Sequence, residues 1–264
     1  ELGSRLERLH TTGAEYLFNL SIQSLVPAIL IVLVFTVVGY LLRSIWGSSN
    51  ITNLAPIYSC RSFRGSAEYI GILLYVIITH TLWFFGIHGT NTLEAVSQTL
   101  FEDKIAINQT LLTAGMAPTE IFSKTFLDTF VFLGGCGCAL SFVLALCIAS
   151  RKSHHRKIAH VALPSVLFNI SEIAVLGSII FNFTMAVPFL LTPVVLTLTS
   201  TLATWFGLVP VVTQSVEWTI PLFQVAMATG SITGSILQLF NVALGVLIYI
   251  PFISAVKKGD PGFQ

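Results

Sequence analysis

The sequence predicts an all-α integral membrane fold of about five transmembrane helices, joined by re-entrant hairpins and broken helices that form a transport domain. Three observations predict it. Only 9% of the 264 residues are charged and 54% are hydrophobic, whereas soluble domains hold about 25% and about 45–50%. The chain therefore cannot cover itself with a surface that water wets. Apolar runs recur at the length that crosses a hydrocarbon core of about 30 Å at about 1.5 Å per residue. Inside those runs the polar groups are few and isolated, and prolines and glycines interrupt the longest of them.

Residues 1–20 are polar and amphipathic and open on Glu1, as expected of a fragment or mature segment. They lack the charged start, short apolar core and small-residue cleavage site of a signal peptide, so insertion without a cleaved signal is expected. The first predicted span covers residues 26–42 and ends at Arg43. Residues 48–66, with Pro56, Arg61 and Arg64, read as a loop or interfacial helix, and residues 69–86 form the second span. The region 90–124 carries Glu94, Glu102, Asp103, Lys104 and Glu120 and is too polar to face lipid. A third span over 126–150 contains Gly134, Gly135 and Gly137, which permit close helix contact or a local break.

The cluster Arg151, Lys152, His154, His155, Arg156 and Lys157 then places that end of the third span in the cytoplasm, because basic flanks stay inside. Arg43 and the pair Lys257–Lys258 belong on the same side. From 158 to 230 about seventy residues must make one net crossing before the last span at 236–252 returns. The excess predicts a re-entrant hairpin over 164–180 and then a broken helix, a backbone that membranes tolerate only where it lines a cavity or lies buried in protein. Pro164, Gly177, Pro188, Pro193, Gly207, Pro210 and Pro221 supply the breaks.

Composition also excludes functions. A net charge of +1 leaves no basic excess to neutralise a nucleic acid. Cys60, Cys136, Cys138 and Cys147 make no disulfide framework, and the C-x-C of Cys136 and Cys138 has no further ligand in register. No metal and no cofactor are expected, and no spacing suggests an intramembrane protease or a haem site. The N-x-S/T matches at Asn169 and Asn182 lie in membrane-embedded sequence and carry no glycosylation signal.

Polar groups within the apolar runs point to function, since an ionisable group there must be paired or face a polar cavity. Glu172, in F-N-I-S-E-I, has no basic neighbour within ten positions and reads as a substrate or proton site, or as a protonated carboxyl capping a helix. His88, in W-F-F-G-I-H-G, lies between two glycines that mark a bend, whereas His80 reads as structural. Glu217, Trp218 and Thr219, in V-E-W-T-I-P, combine an aromatic platform with groups that bind hydroxyls, the pattern a sugar needs. Trp218 equally suits an interfacial belt.

These segments, with F-V-F-L-G-G-C-G, R-K-S-H-H-R-K, A-L-P-S-V-L-F-N-I-S-E and Q-L-F-N-V-A-L-G-V-L-I-Y-I-P-F, occur in one order. In that order they resemble the membrane IIC subunit of the bacterial phosphoenolpyruvate-dependent sugar phosphotransferase system, in its lactose, cellobiose and diacetylchitobiose branch. The resemblance runs over residues 21–252 and covers the second half of such a subunit. It implies a IIC-like transport domain over 21–256, a cytoplasmic tail over 257–264, and a multi-pass protein of the bacterial inner membrane. It further implies a disaccharide or similar β-glycoside as substrate, and IIA and IIB components as partners, with phosphorylation by a phosphocysteine of IIB. The first half of the subunit would be the missing partner, pairing two copies into a homodimer in the lipid bilayer.

Carried over residue by residue, His88 matches the family's Gly-Ile-His-Gly histidine and Glu172 the glutamate of its Asn-Glu-Pro motif, both near the hydroxyl that accepts the phosphoryl group. A hydroxyl attacking phosphorus needs a positioned proton acceptor, which makes these two the catalytic candidates. Asn108, Asn182 and Trp218 fall near weaker family positions and are lining candidates. Ser171 and Ile173 stand where the family has Asn and Pro, and Glu217, Ile220 and Leu222 replace Pro, Thr and Pro of its Pro-Trp-Thr-Thr-Pro-Pro element. Those departures leave open a different class, a degenerate membrane sugar sensor fused to a signalling domain such as a cyclic-dinucleotide enzyme.

Overall fold

The computed structural model describes residues 30, 33, 37, 66–150, 153–220 and 229–255. Most of the first span, the 48–65 stretch, Arg43, Cys60, Arg151, Lys152, Pro221, Leu222, Lys257 and Lys258 lie outside the described residues, as do segments 1–20 and 257–264. The chain divides into two compact units, 1–54 and 55–264. In the first, Leu30, Leu33 and Val37 are helical and exposed. The second is helical throughout its described elements.

In chain order these are α1 (Ser66–Phe84), two single turns α2 (Gly89–Thr92) and α3 (Glu94–Ser97), and a π-helical turn (Gln98–Glu102). Then come α4 (Asp103–Thr113), α5 (Lys124–Phe130), α6 (Ala139–Ala149), α7 (Ser153–Val166), α8 (Glu172–Ser178), α9 (Phe183–Trp205) and α10 (Ile232–Ala255). Helices α9 and α10 are long and apolar enough to cross a membrane, and α1 and α6 are apolar and shorter. The predicted third span is split. Gly134, Gly135 and Gly137 all have positive φ, as does Cys138 at 53°, so the chain between α5 and α6 turns where an ordinary helix would continue.

A break at membrane depth frees carbonyls that lipid cannot satisfy. One face of α10 satisfies them. Gln238 Nε2 donates to Thr129 O at 3.0 Å, Asn241 Nδ2 to Phe130 O at 2.9 Å, and Tyr249 Oη to Gly137 O at 2.7 Å. Gly245 lets α10 reach α6 so closely that an added Cβ would lie 2.6 Å from Ser141 Oγ, which itself donates to Val242 O at 2.8 Å.

Where the sequence predicts a hairpin over 164–180, α7 and α8 pair across a tight tip, but the pair begins at Ser153 and Pro164 lies inside α7 instead of breaking the chain. The break expected near Pro188 and Pro193 lies later, because α9 runs unbroken through both prolines. Along the same helix Thr197 donates to Pro193 O and Thr201 to Thr197 O, each at 2.7 Å, adding side-chain bonds to the backbone ladder. After Trp205 the described chain has no helix to residue 220. Asn108 Nδ2 grips this non-helical strap at Val212 O, 3.0 Å away.

Candidate functional site

Helix α1 ends at Phe84 and the chain turns through Gly86, whose φ is +80°. It then folds back so tightly that a Cβ on Gly89 would collide with the Thr79 carbonyl. This places His88 as the N-cap of α2. Its Nδ1 accepts the Asn91 backbone N–H at 3.3 Å and lies 3.2 Å from Thr90 Oγ1. A ring nitrogen that accepts carries no proton, so the neutral ring holds its proton on Nε2. That atom lies 3.6 Å from Glu172 Oε1. The indole of Trp83 backs the imidazole, with ring centres 4.3 Å apart.

Glu172 is set by the hairpin tip. Asn169 adopts a left-handed φ of 62°, which asparagine tolerates better than most residues. Its Oδ1 accepts the Gly134 N–H at 2.8 Å, and its Nδ2 donates to the carbonyls of Trp218 and Ile220. Ser171 Oγ accepts the Cys136 N–H at 3.2 Å. Gly135 has a φ of +96°, and a Cβ there would sit 2.6 Å from that of Ser171, so only glycine admits the contact. The glycine loop thus seats the tip, the tip holds the strap, and the next residue is Glu172.

Glu172 Oε2 is buried with no hydrogen-bond partner, although the side chain as a whole is 44% exposed and that of His88 38%. At 3.6 Å the pair falls short of a direct hydrogen bond, and both atoms lie within reach of a single hydroxyl placed beside them. One hydroxyl can donate to the carboxylate and accept from Nε2–H. The arrangement can therefore bind a neutral alcohol and remove its proton.

The other sequence candidates fall in different places. Glu217, Trp218 and Thr219 are exposed on the strap, with the Trp218 carbonyl held by Asn169 beside the site. Asn182 is the N-cap of α9, accepting the Met185 N–H at 3.3 Å and donating to Ser178 O at 3.1 Å. Asn108 is wholly buried and spent on backbone: it donates to Glu120 O and Val212 O and accepts from Glu120 N. His80 is buried between Phe132 and Phe189. Among the described residues no cluster could hold a metal ion. An open cleft of about 450 Å³ runs along α4, lined by Asp103, Ala106, Ile107, Thr110 and Leu111, and includes neither His88 nor Glu172.

Two features escaped the sequence reading. Asn169 was seen only as a glycosylation match, and its signal is a lone amide between two helical runs. Lys124 and Asp128 form an ion pair with both oxygens at 2.7 Å from Nζ. Opposite charges four residues apart at the head of an apolar run would have marked it.

Residues 15–193 match the family described as phosphotransferase system, EIIC. The chain is 31% identical over 248 residues to the oligo-beta-mannoside-specific EIIC component of Bacillus subtilis, covering 90% of this chain and 55% of the relative. The cellobiose-specific EIIC component of Lactococcus lactis is 24% identical over 260 residues, covering 89% and 52%. The crystal structure of ChbC, the IIC component from the N,N'-diacetylchitobiose-specific phosphotransferase system, superposes with a TM-score of 0.70 at 29% identity, over 93% of this chain and 58% of that one. The chain spans about half the length of the curated relatives it matches.

Proposed function

The chain belongs to the phosphotransferase system EIIC family, and from that premise we propose that it forms the sugar-binding part of a membrane permease that carries a β-linked di- or oligosaccharide inward and presents it for phosphorylation. The relatives' oligo-β-mannoside and cellobiose specificities and the likeness to the diacetylchitobiose component support that substrate class. The single observation that carries the reading is the His88–Glu172 pair, 3.6 Å apart, half-buried, with one carboxylate oxygen buried and unpartnered.

In the step proposed, a sugar hydroxyl lies beside Nε2 of His88 and the carboxylate of Glu172, within hydrogen-bond reach of both. Its oxygen bonds to phosphorus as the sulfur–phosphorus bond of a IIB phosphocysteine breaks, and its proton passes to Glu172. The thiolate leaves on IIB and is recharged through IIA. Little covalent chemistry falls to the membrane component, so its contribution is positioning and proton acceptance. The exposed Trp218 and the hydroxyl of Thr219 supply further sugar contacts from the strap, and Glu217 a carboxylate near it. The family's first half would complete the permease and pair two copies. The sensor reading draws no support from the relatives above, each of which is named as an EIIC component.

Membrane vesicles carrying the complete gene product, with IIA, IIB and phosphoenolpyruvate, test the reading directly. Phosphorylation of cellobiose, mannobiose or diacetylchitobiose is the expected result, and failure with all three sinks it. Orientation is tested separately, in a cysteine-free background. A cysteine at Ser153 should react only from the cytoplasm and one at Asp103 only from outside or not at all; labelling of Ser153 in intact cells reverses the topology.

A further inference from the structure

The non-helical strap after Trp205 must find partners for its backbone groups, as any irregular chain at membrane depth must. Its last described turn is closed by the Ile220 N–H on Glu217 O at 3.1 Å. The carbonyls of Trp218 and Ile220 accept from Nδ2 of Asn169 at 2.5 and 3.3 Å. The turn therefore hangs from a side chain of the hairpin tip, 49 and 51 positions earlier in the chain.

The other edge of the same amide seats the tip. Its Oδ1 accepts the Gly134 N–H at 2.8 Å, three residues before Glu172. Glycine loop, tip and strap thus meet on one planar group, with the oxygen toward an N–H and the nitrogen toward two carbonyls. The left-handed φ of 62° suits that group, since asparagine, aspartate and histidine are the side chains that adopt it most readily. Of these, aspartate has no N–H to give the strap.

What the amide holds is not part of the core. Glu217, Trp218 and Thr219 are exposed, and Trp218 keeps 52% of its surface uncovered. Fixing a turn costs backbone and side-chain entropy, and here little apolar burial offsets it. The compensation comes when a ligand covers the indole and the hydroxyl.

We propose that Asn169 is a positioning residue for sugar binding: its amide sets Trp218 and Thr219 at a fixed reach from Glu172, so that the strap grips the sugar whose hydroxyl lies at His88 and Glu172. The inference rests on the permease reading above and deepens it. The two edges of the amide have separable effects. The donor edge holds the strap and governs binding, whereas the acceptor edge seats the tip, and with it Glu172, and governs turnover.

Asn169→Asp keeps the acceptor edge and the left-handed backbone but turns lone pairs toward the two strap carbonyls. In vesicles of the complete gene product with IIA, IIB and phosphoenolpyruvate, its KM for the disaccharide that the parent phosphorylates should rise at least about tenfold, with kcat within about threefold. The same substitution in a background of Trp218→Ala with Thr219→Ala should change KM by less than about twofold, because a residue that acts through the strap then has nothing left to position. An unchanged KM or a loss confined to kcat in the first case, or a larger rise in KM in the second, overturns the proposal, while the parent's activity leaves the permease reading standing. A parent that phosphorylates no β-linked disaccharide overturns both. If Asn169→Asp does not reach the membrane, Asn169→Gly decides in the same two backgrounds, since glycine accepts the positive φ and adds no charge. It removes both edges, so KM should rise and kcat fall, with the rise in KM confined to the intact strap; a rise of equal size in both backgrounds removes the positioning role.

Discussion

Around Lys104 and around His88 the chain gathers charged groups amid apolar helices, and the two gatherings differ in how completely they are paired. Lys104 Nζ meets Glu68 Oε1 at 2.7 Å and also the Glu120 carboxylate, joining the start of α1 to α4 and to the loop before α5. Asn108 holds the backbone of the same Glu120 through both its N–H and its carbonyl. In this brace each hydrogen-bonding group named has a partner. At the other gathering His88 and Glu172 stand 3.6 Å apart, and Glu172 Oε2 has no partner. A fully paired polar cluster fixes structure, whereas an incompletely paired one keeps free energy in reserve for a ligand. The difference predicts opposite failures on substitution.

The largest effect is expected at the incomplete pair. Glu172→Gln keeps size and one acceptor oxygen but replaces the other by an amide donor and cannot take a proton. Phosphorylation should fall by about 10²–10⁴-fold, the usual worth of a positioned base. Membrane insertion and thermal stability should be those of the parent, because no hydrogen bond of Glu172 Oε2 is lost. Normal phosphorylation by this variant would erase the distinction between the two clusters.

At the brace the outcome should invert. Lys104→Met leaves Glu68 and Glu120 facing each other without a counter-ion, and breaking a buried pair costs about 3–5 kcal/mol. With 22% of the Lys104 side chain reaching solvent, the expected loss is nearer about 2 kcal/mol, read as a drop in unfolding temperature in detergent, with KM for sugar unchanged. The pH dependence has a definite sign. Burial works against the charge of Lys104, but the carboxylates of Glu120 and Glu68 outweigh it and hold its pKa above the ordinary 10.5. A raised base stabilises the fold below its unfolded pKa and loses that contribution as pH rises through the folded one. Stability from this pair should thus stay flat through neutral pH and fall only in alkali beyond 10.5. A brace already lost near neutral pH would contradict the pairing.

How much of this was legible in the sequence follows from the same contrast. Composition and run length gave the membrane class, and the charge-free surroundings of Glu172 and the glycines around His88 marked both as candidates, which the fold brings within 3.6 Å. Pairing was not legible, since it depends on partners far apart in the chain. Asn108, close to the charges at 102–104, and Glu172, among apolar residues, are both polar candidates in the sequence, yet Asn108 is consumed by Val212, which is 104 positions away. The prolines of α9 misled for a related reason. Proline reports its own missing N–H, whereas the rest of the backbone ladder carries α9 through both positions. The split of the third span was foreshadowed by its three glycines, whereas its repair by Gln238, Asn241 and Tyr249 required the fold.

The smallest predicted effect sharpens the comparison most finely, because it concerns a residue that belongs to neither cluster. Asn182 was a lining candidate, and its geometry is that of a cap: its Oδ1 accepts the Met185 N–H at 3.3 Å at the head of α9. Replacing such a cap by alanine costs about 1 kcal/mol, and serine retains most of the interaction. Asn182→Ala should therefore lower the unfolding temperature slightly, Asn182→Ser hardly at all, and both should leave KM for sugar within about twofold. The serine variant is the discriminating one, since it preserves the cap while shortening the side chain and removing its amide. If it binds sugar about tenfold more weakly at unchanged stability, a loss of about 1.4 kcal/mol, the amide touches substrate in the occupied state. Satisfaction by local backbone would then no longer separate structural from functional polar groups in this fold.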